Sequence, residues 1–244
     1  MSESRFHIDW RTAIKSTVVS AVATIAVAAP CLSTPAPAHK LAGRFGLSIP
    51  TGLVIANKLY QDGGSPELWA PHRSSARFGL PLGGGWHYFI SDNVAAGIDL
   101  AKTEITSRTT SMFTGSWIST RTWSIMELGA HIKYIKSLSS NTSIYGKFGP
   151  KMVRLNGTFK HFRLPHHGIE ISYTPGGELG VGLLRLFSKS LVLFGEVTFS
   201  HIFTKGKDVR INGEAAFWKY PFNLELYRVR VGLMLLIGGK RDKP

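Results

Sequence analysis

The chain has one cysteine, Cys31, in 244 residues, and past residue 37 it has no run of the roughly 20 apolar residues that a membrane-spanning helix needs. The missing run excludes a helical membrane protein, so any membrane segment must be built of strands. The lone cysteine falls in a stretch that reads as a leader, so the mature chain would hold no disulfide. Acidic residues are scarce, 15 against 29 basic ones, giving a net charge of +14. In a soluble intracellular protein such a balance would suggest nucleic acid. An exported chain meets none, and anionic lipid headgroups or surface polysaccharide are the better partners. Apolar residues make up 43% of the chain, too many for a disordered one.

What is present begins with a secretory signal. Arg5, Arg11 and Lys15 form a cationic start, residues 17–29 a small-residue apolar core, and Ala36-Pro37-Ala38 a small-x-small cleavage pattern. The reading is a signal peptide over 1–38 and a single barrel domain over 39–244. Without the leader, 26 basic residues stand against 13 acidic ones.

The mature chain alternates. In the last apolar stretch Tyr227, Val229, Val231, Leu233, Leu235 and Ile237 share one strand face, while Arg228, Arg230, Gly232 and Met234 share the other. Alternation of this kind predicts eight strands, over about 41–51, 76–90, 94–106, 119–136, 142–155, 171–187, 190–204 and 223–238. Short polar turns at 91–93, 137–141 and 188–189 alternate with long connections at 52–75, 107–118, 156–170 and 205–222. Short turns at one end and long loops at the other are the asymmetry of outer-membrane barrels, and an even strand count places both termini at the short-turn, periplasmic end.

Alternation alone does not say which face is outside. Glycines crowd the charged side (Gly46, Gly85, Gly97, Gly129, Gly149, Gly180, Gly182), and a narrow eight-stranded lumen demands small residues. Aromatics gather near the strand ends of the apolar side, Trp86, Tyr88, Tyr134 and Phe187 at one end and Tyr173, Phe203 and Tyr227 at the other. Two such belts are expected at the two lipid–water interfaces. The expected fold is therefore all-β, an eight-stranded antiparallel up-and-down transmembrane β-barrel with its apolar side in lipid. Lys102 and Glu104 share that apolar side, which predicts that their strand rises above the lipid there.

Gly177-Glu178-Leu179-Gly180-Val181-Gly182, then Ser188-Lys189-Ser190-Leu191 and Phe194-Gly195-Glu196-Val197, look like the penultimate hairpin of the small eight-stranded outer-membrane β-barrels, the OmpA-like, OmpX-like and OmpW-like group. The resemblance covers about 41–238. It implies residence in the bacterial outer membrane and a closed barrel.

Four carboxylates, Asp99, Glu127, Glu178 and Glu196, fall mid-strand on the inner side, with Arg44, Arg77, Arg121, Lys133, Lys147, Lys151, Arg228 and Arg230 as cations to pair them. An unpaired buried charge costs several kcal/mol, so a packed network of ion pairs is expected. Cations are in excess, so if the lumen conducts it should favour anions. A lipid A-modifying enzyme would need a serine and a histidine together at the outer rim. Ser200 and His201 are adjacent in a strand and so point to opposite faces. His161, His166 and His167 with Glu170 could bind a metal, but a solvated loop is the plainer reading. No catalytic residue, metal or cofactor is expected. The function expected is a structural or surface-interaction barrel, monomeric, its loop cations Arg163, Lys205 and Lys207 meeting lipopolysaccharide or another surface polyanion. A small anion-preferring pore and a lipid A-modifying barrel are the alternatives.

Overall fold

The computed structural model describes residues 40–57, 72–74, 78–111, 117–161, 167–220 and 223–238. The expected leader and the tail after Gly238 lie outside them. In chain order the strands are β1 (Arg44–Asn57), β2 (His72–Ser74), β3 (Phe78–Phe89), β4 (Val94–Ser111), β5 (Trp117–Ser137), β6 (Thr142–His161), β7 (His167–Leu186), β8 (Leu191–Ile202), β9 (Asp208–Ile211), β10 (Glu214–Lys219) and β11 (Leu224–Gly238). Eight of them, β1, β3 to β8 and β11, form one antiparallel ring. Each pairs with its neighbour in sequence, apart from the short β2, β9 and β10. The ring closes where β1 runs beside β11 from Arg44 opposite Gly238 to Asn57 opposite Glu225. Closure leaves these long strands without free edges, the condition for a sheet in hydrocarbon.

The apolar side faces out. Ile49 is 75% exposed, Leu82 73% and Trp86 57%, and exposed apolar residues continue around the ring through Leu100, Leu128, Phe148, Leu179, Leu193 and Val231. A surface this greasy belongs in lipid and not in water. The strands are longer than the membrane requires. β5 has 21 residues where a membrane strand needs about 9–11. Residues 52–57, 107–111, 117–118, 156–161 and 167–170, read from sequence as loop, are strand.

The patterning explains the difference. Above the lipid the phase inverts. On β5 the outward apolar residues Tyr134, Ile132 and Leu128 give way to the inward, buried Ile125 and Trp123. On β6 outward Phe148 and Met152 give way to inward Val153 and Leu155. A barrel wall in water must carry its apolar residues inside and its polar ones outside, the reverse of a wall in lipid. Lys102 and Glu104 mark the change on β4: they stand on the exterior, each more than half exposed, and pair with each other at 2.8 Å. The fourth long connection also holds structure. Ile211-Asn212-Gly213-Glu214 is a two-residue hairpin turn, with φ of 53° at Asn212 and 90° at Gly213. Asn-Gly is the favoured pair for such a turn. The β9–β10 hairpin it makes continues the sheet from the upper part of β7.

Inside, two apolar clusters occupy the ends of the lumen. One at the long-loop end gathers Val54, Ile105, Trp123, Ile125, Leu155, Val209, Tyr220 and Leu224. The other, at the short-turn end, gathers Leu41, Phe89, Ile135, Tyr145, Phe194, Met234 and Leu236. Their aromatics lie over glycines of the next strand: Trp123 over Gly157, Tyr145 over Gly182, Phe194 over Gly232. The described wall has a weak seam between β1 and β3. β1 and β3 pair at Phe45–Ser48 with Gly85–Tyr88 and again at Val54–Ile55 with Phe78–Gly79, and nothing pairs between. Pro50 and Pro81 lie in that interval, and neither has an N–H to donate.

Glycine space yields a test. A Cβ at Gly149 would lie 2.0 Å from the Ala130 carbonyl oxygen, whereas one at Gly146 meets nothing within 4 Å. Gly149→Ala should lower unfolding stability in detergent by about 1–3 kcal/mol. Gly146→Ala should change it by less than about 0.5 kcal/mol. Urea titration followed by heat-modifiable gel migration measures both, and equal stability of the two variants would contradict the packing described.

Candidate functional site

Between the two apolar clusters lies a belt of charge. Each member projects inward because it shares the strand phase of the lumen, and glycines stand beside it in the ladder. Lys151 is flanked by Gly129 and Gly176, Glu196 by Gly182, and Glu178 by Gly149. The bare backbone gives the long side chains room to cross.

Lys147 Nζ is 2.5 Å from Asp99 Oδ2, 2.7 Å from Glu178 Oε1 and 3.8 Å from Glu196 Oε1. Lys151 Nζ is 3.1 Å from Glu127 Oε2 and also pairs with Glu178. Arg228 reaches across the lumen from β11 to Glu127 on β5, donates to Ser200 Oγ at 2.8 Å, and lies 3.5 Å from Glu178 Oε2. Arg230 pairs with Glu196, its partner in the β8–β11 ladder, and lies 3.5 Å from Asp99 Oδ2. The Tyr145 hydroxyl donates to Glu196 Oε2 at 2.7 Å. Most of these side chains are less than 6% exposed, so the network is shielded from bulk water, and Asp99, at 16%, is its most open member.

Lys133 is the exception in kind. It stands directly opposite Lys147 in the β5–β6 ladder, and like charges there repel. Its ammonium turns away onto the Tyr145 ring at 4.7 Å and the Phe194 ring at 6.0 Å. Five cations thus face four carboxylates in the described lumen. Glu127 Oε1 and Arg230 Nε have no hydrogen-bond partner there.

The other residues singled out from sequence lie elsewhere. Arg44 sits at the short-turn rim and donates to the carbonyls of Gly238 at 3.1 Å and Lys189 at 2.6 Å. It is no part of the luminal network. Arg77 and Arg163 lie outside the described residues, and of Arg121 only the backbone, in β5, is described. Lys205 is exposed and Lys207 half-buried in the turn before β9. Ser200 is wholly buried among the luminal charges, while the His201 ring is on the outer wall, edge-on to Phe203 at 5.3 Å. The two cannot share a proton.

Sequence reasoning missed one grouping. His87 on β3 and His131 on β5 flank Gly97 of β4 in a single row, with Asp99 one step along. Gly97 has no side chain, so the imidazoles meet above it: His131 Nε2 is 3.3 Å from His87 Nδ1. Ser48 Oγ is 2.9 Å from His87 Nε2, and Asp99 Oδ2 is 3.6 Å from His131 Nδ1. The signal was a row of inward histidines on every second strand with glycine between them.

A closed ring of eight strands, greasy outside and charged within, defines a transmembrane β-barrel of the outer-membrane class. Solved structures similar to it are small outer-membrane proteins. They include OprG of Pseudomonas aeruginosa, at 13% identity over 84% of this chain and 100% of that one with a TM-score of 0.49. AlkL in lipid bilayers matches at 15% identity over 87% and 99%, TM-score 0.48. Ail of Yersinia pestis in complex with the heparin analogue sucrose octasulfate matches at 10% identity over 80% and 99%, TM-score 0.47. No protein-family model and no curated protein matches the chain.

Removing one partner of a buried pair strands the other charge. Arg228→Met should cost about 3–5 kcal/mol of unfolding free energy. Lys133→Met loses the ring contacts and a longer-range attraction to Glu196 but no direct ion pair, and should cost less than about 2 kcal/mol. Urea unfolding in micelles ranks the two, and Lys133→Met as the costlier variant would refute the network.

Proposed function

We propose that this is a non-enzymatic outer-membrane barrel that works through its outer surface, binding polyanions such as lipopolysaccharide phosphates with basic loops. The observation that carries the reading is the filled lumen. Among the described residues apolar side chains occupy both ends and ion pairs the middle, which supports a packed interior over a wide channel or an open substrate cleft. Function then falls to the surface at the long-loop end. There Lys160, Lys205, Arg210 and Lys219 are exposed and Lys207 half-buried. Lys219 lies 3.9 Å from Asp208, with both side chains mostly in solvent, and such a pair gives little energy; Arg210 stands opposite Glu170 in the β7–β9 ladder. The β9–β10 hairpin itself is balanced, Arg210 and Lys219 against Asp208 and Glu214, and the excess charge lies in Lys205 and Lys207 just before it, which suits a phosphate- or sulfate-bearing polymer. In this reading the short-turn end, with both termini, faces the periplasm, and the protein acts as a monomer.

Replacing Arg163, Lys205 and Lys207 together by Gln should weaken binding to immobilised heparin or lipopolysaccharide by about tenfold, and the wild-type affinity should fall steeply with salt, as attraction between exposed charges does. Unchanged affinity in the triple variant would end the proposal. In planar bilayers the folded protein should give no discrete conductance steps. Steps of anion preference would instead favour a small pore.

A further inference from the structure

The luminal charge network leaves one grouping unused, the row of His87, Gly97 and His131 with Asp99 beside it. One ligand atom from each of His87, Asp99 and His131 lies within 4.8 Å of the other two. The space for this is made by missing side chains. A Cβ on Gly97 would lie 2.6 Å from His87 Nδ1 and 2.7 Å from His131 Nε2, and one on Gly85 would lie 2.4 Å from Asp99 Oδ1. Gly129, next to Asp99 in the ladder, is also bare.

We propose that His87, His131 and Asp99 form a binding site for a divalent transition-metal ion inside the barrel. Two nitrogens bound tetrahedrally at about 2.0–2.1 Å from an ion stand about 3.3–3.4 Å apart. His87 Nδ1 and His131 Nε2 stand 3.3 Å apart already. The far nitrogen of His87 is held by Ser48, the outer support that aims a metal-binding imidazole. Asp99 would complete the set. It now pairs with Lys147, but Lys147 also has Glu178 at 2.7 Å and Glu196 at 3.8 Å, so Asp99 can turn to an ion without stranding the ammonium. Two imidazoles and one carboxylate suit zinc, copper or nickel, and they suit calcium or magnesium poorly. The neighbouring cations Lys133, Lys147 and Arg230 oppose a further positive charge, which sets the affinity below that of a closed structural site and makes Lys147 a competitor for Asp99. The site lies in the lumen, and its existence is independent of polyanion binding at the loops.

The test uses the full folded protein in detergent, its folding verified by heat-modifiable migration, titrated calorimetrically with Cu²⁺ or Zn²⁺ alone. One ion per chain should bind. His87→Gln, His131→Gln and Asp99→Asn should each weaken binding by about tenfold or more. Lys147→Met should tighten it several-fold, whereas His167→Gln and His201→Gln should leave it unchanged. A merely structural histidine pair would not respond to Lys147→Met. Should the luminal variants fail to fold, electron paramagnetic resonance of the wild-type protein with one equivalent of Cu²⁺ decides: couplings from two imidazole nitrogens are expected. No saturable binding, binding retained by a folded His87→Gln/His131→Gln variant, or a copper spectrum without nitrogen couplings would overturn the site.

Discussion

Every feature of this protein follows from closing eight strands into a ring too narrow to hold water freely. The lumen must be filled by side chains, and any charge placed there must be met by another. The chain meets the condition with ion pairs that span the ring. Arg228 joins β11 to Glu127 on β5, and Lys147 joins β6 to Asp99, Glu178 and Glu196 on three other strands. Such pairs are weak grounds for stability in themselves, because desolvation offsets much of the attraction. Their value is register. A one-residue slip of β11 would put Arg228 into lipid, and one of β5 would do the same to Glu127, so the network favours one alignment of the whole barrel.

The apolar clusters do a different job. They shield the charges from water at both ends, and shielding strengthens each pair it covers. The cluster at the long-loop end also joins the membrane part to the part that stands in water, because β9, the residue that follows β10 and the start of β11 contribute Val209, Tyr220 and Leu224 to it. The turn that carries Lys205 and Lys207 is thereby mounted on the core, since its backbone pairs with that of Tyr220. Its position is fixed by the same side chains that seal the lumen.

Much of this was legible in the sequence, for physical reasons. Outward alternation from Val229 to Ile237, glycines on the charged phase and short turns between long connections all come from the membrane itself. The strand extensions were not legible to a reading that follows a single apolar side, since at Lys102, at Ser124 and at Arg154 the phase reverses and the apolar residues move indoors. The Asn212-Gly213 pair signals a turn, but the strands it joins, of 4 and 6 residues, are too short for alternation to mark them. Which cation meets which carboxylate could be read only in part: Arg230 and Glu196, on adjacent strands, do pair. Adjacent-strand proximity suggests Lys147 for Glu127, yet Lys151 and Arg228 occupy that carboxylate. Pairing across a lumen depends on the tilt and curvature of the ring, which sequence spacing does not encode. The same holds for His87 and His131, 44 positions apart and joined only by the row through Gly97.

The central claim is orientation: one set of side chains in hydrocarbon, the other sealed inside. Trp86 is 57% exposed on the outer wall, and Trp123 is 4% exposed in the lumen. Variants retaining one of these two tryptophans as the sole emitter, refolded into vesicles with brominated acyl chains, test it most directly. Strong quenching of Trp86 with little quenching of Trp123 is the predicted result. Equal quenching, or the reverse order, would contradict the account.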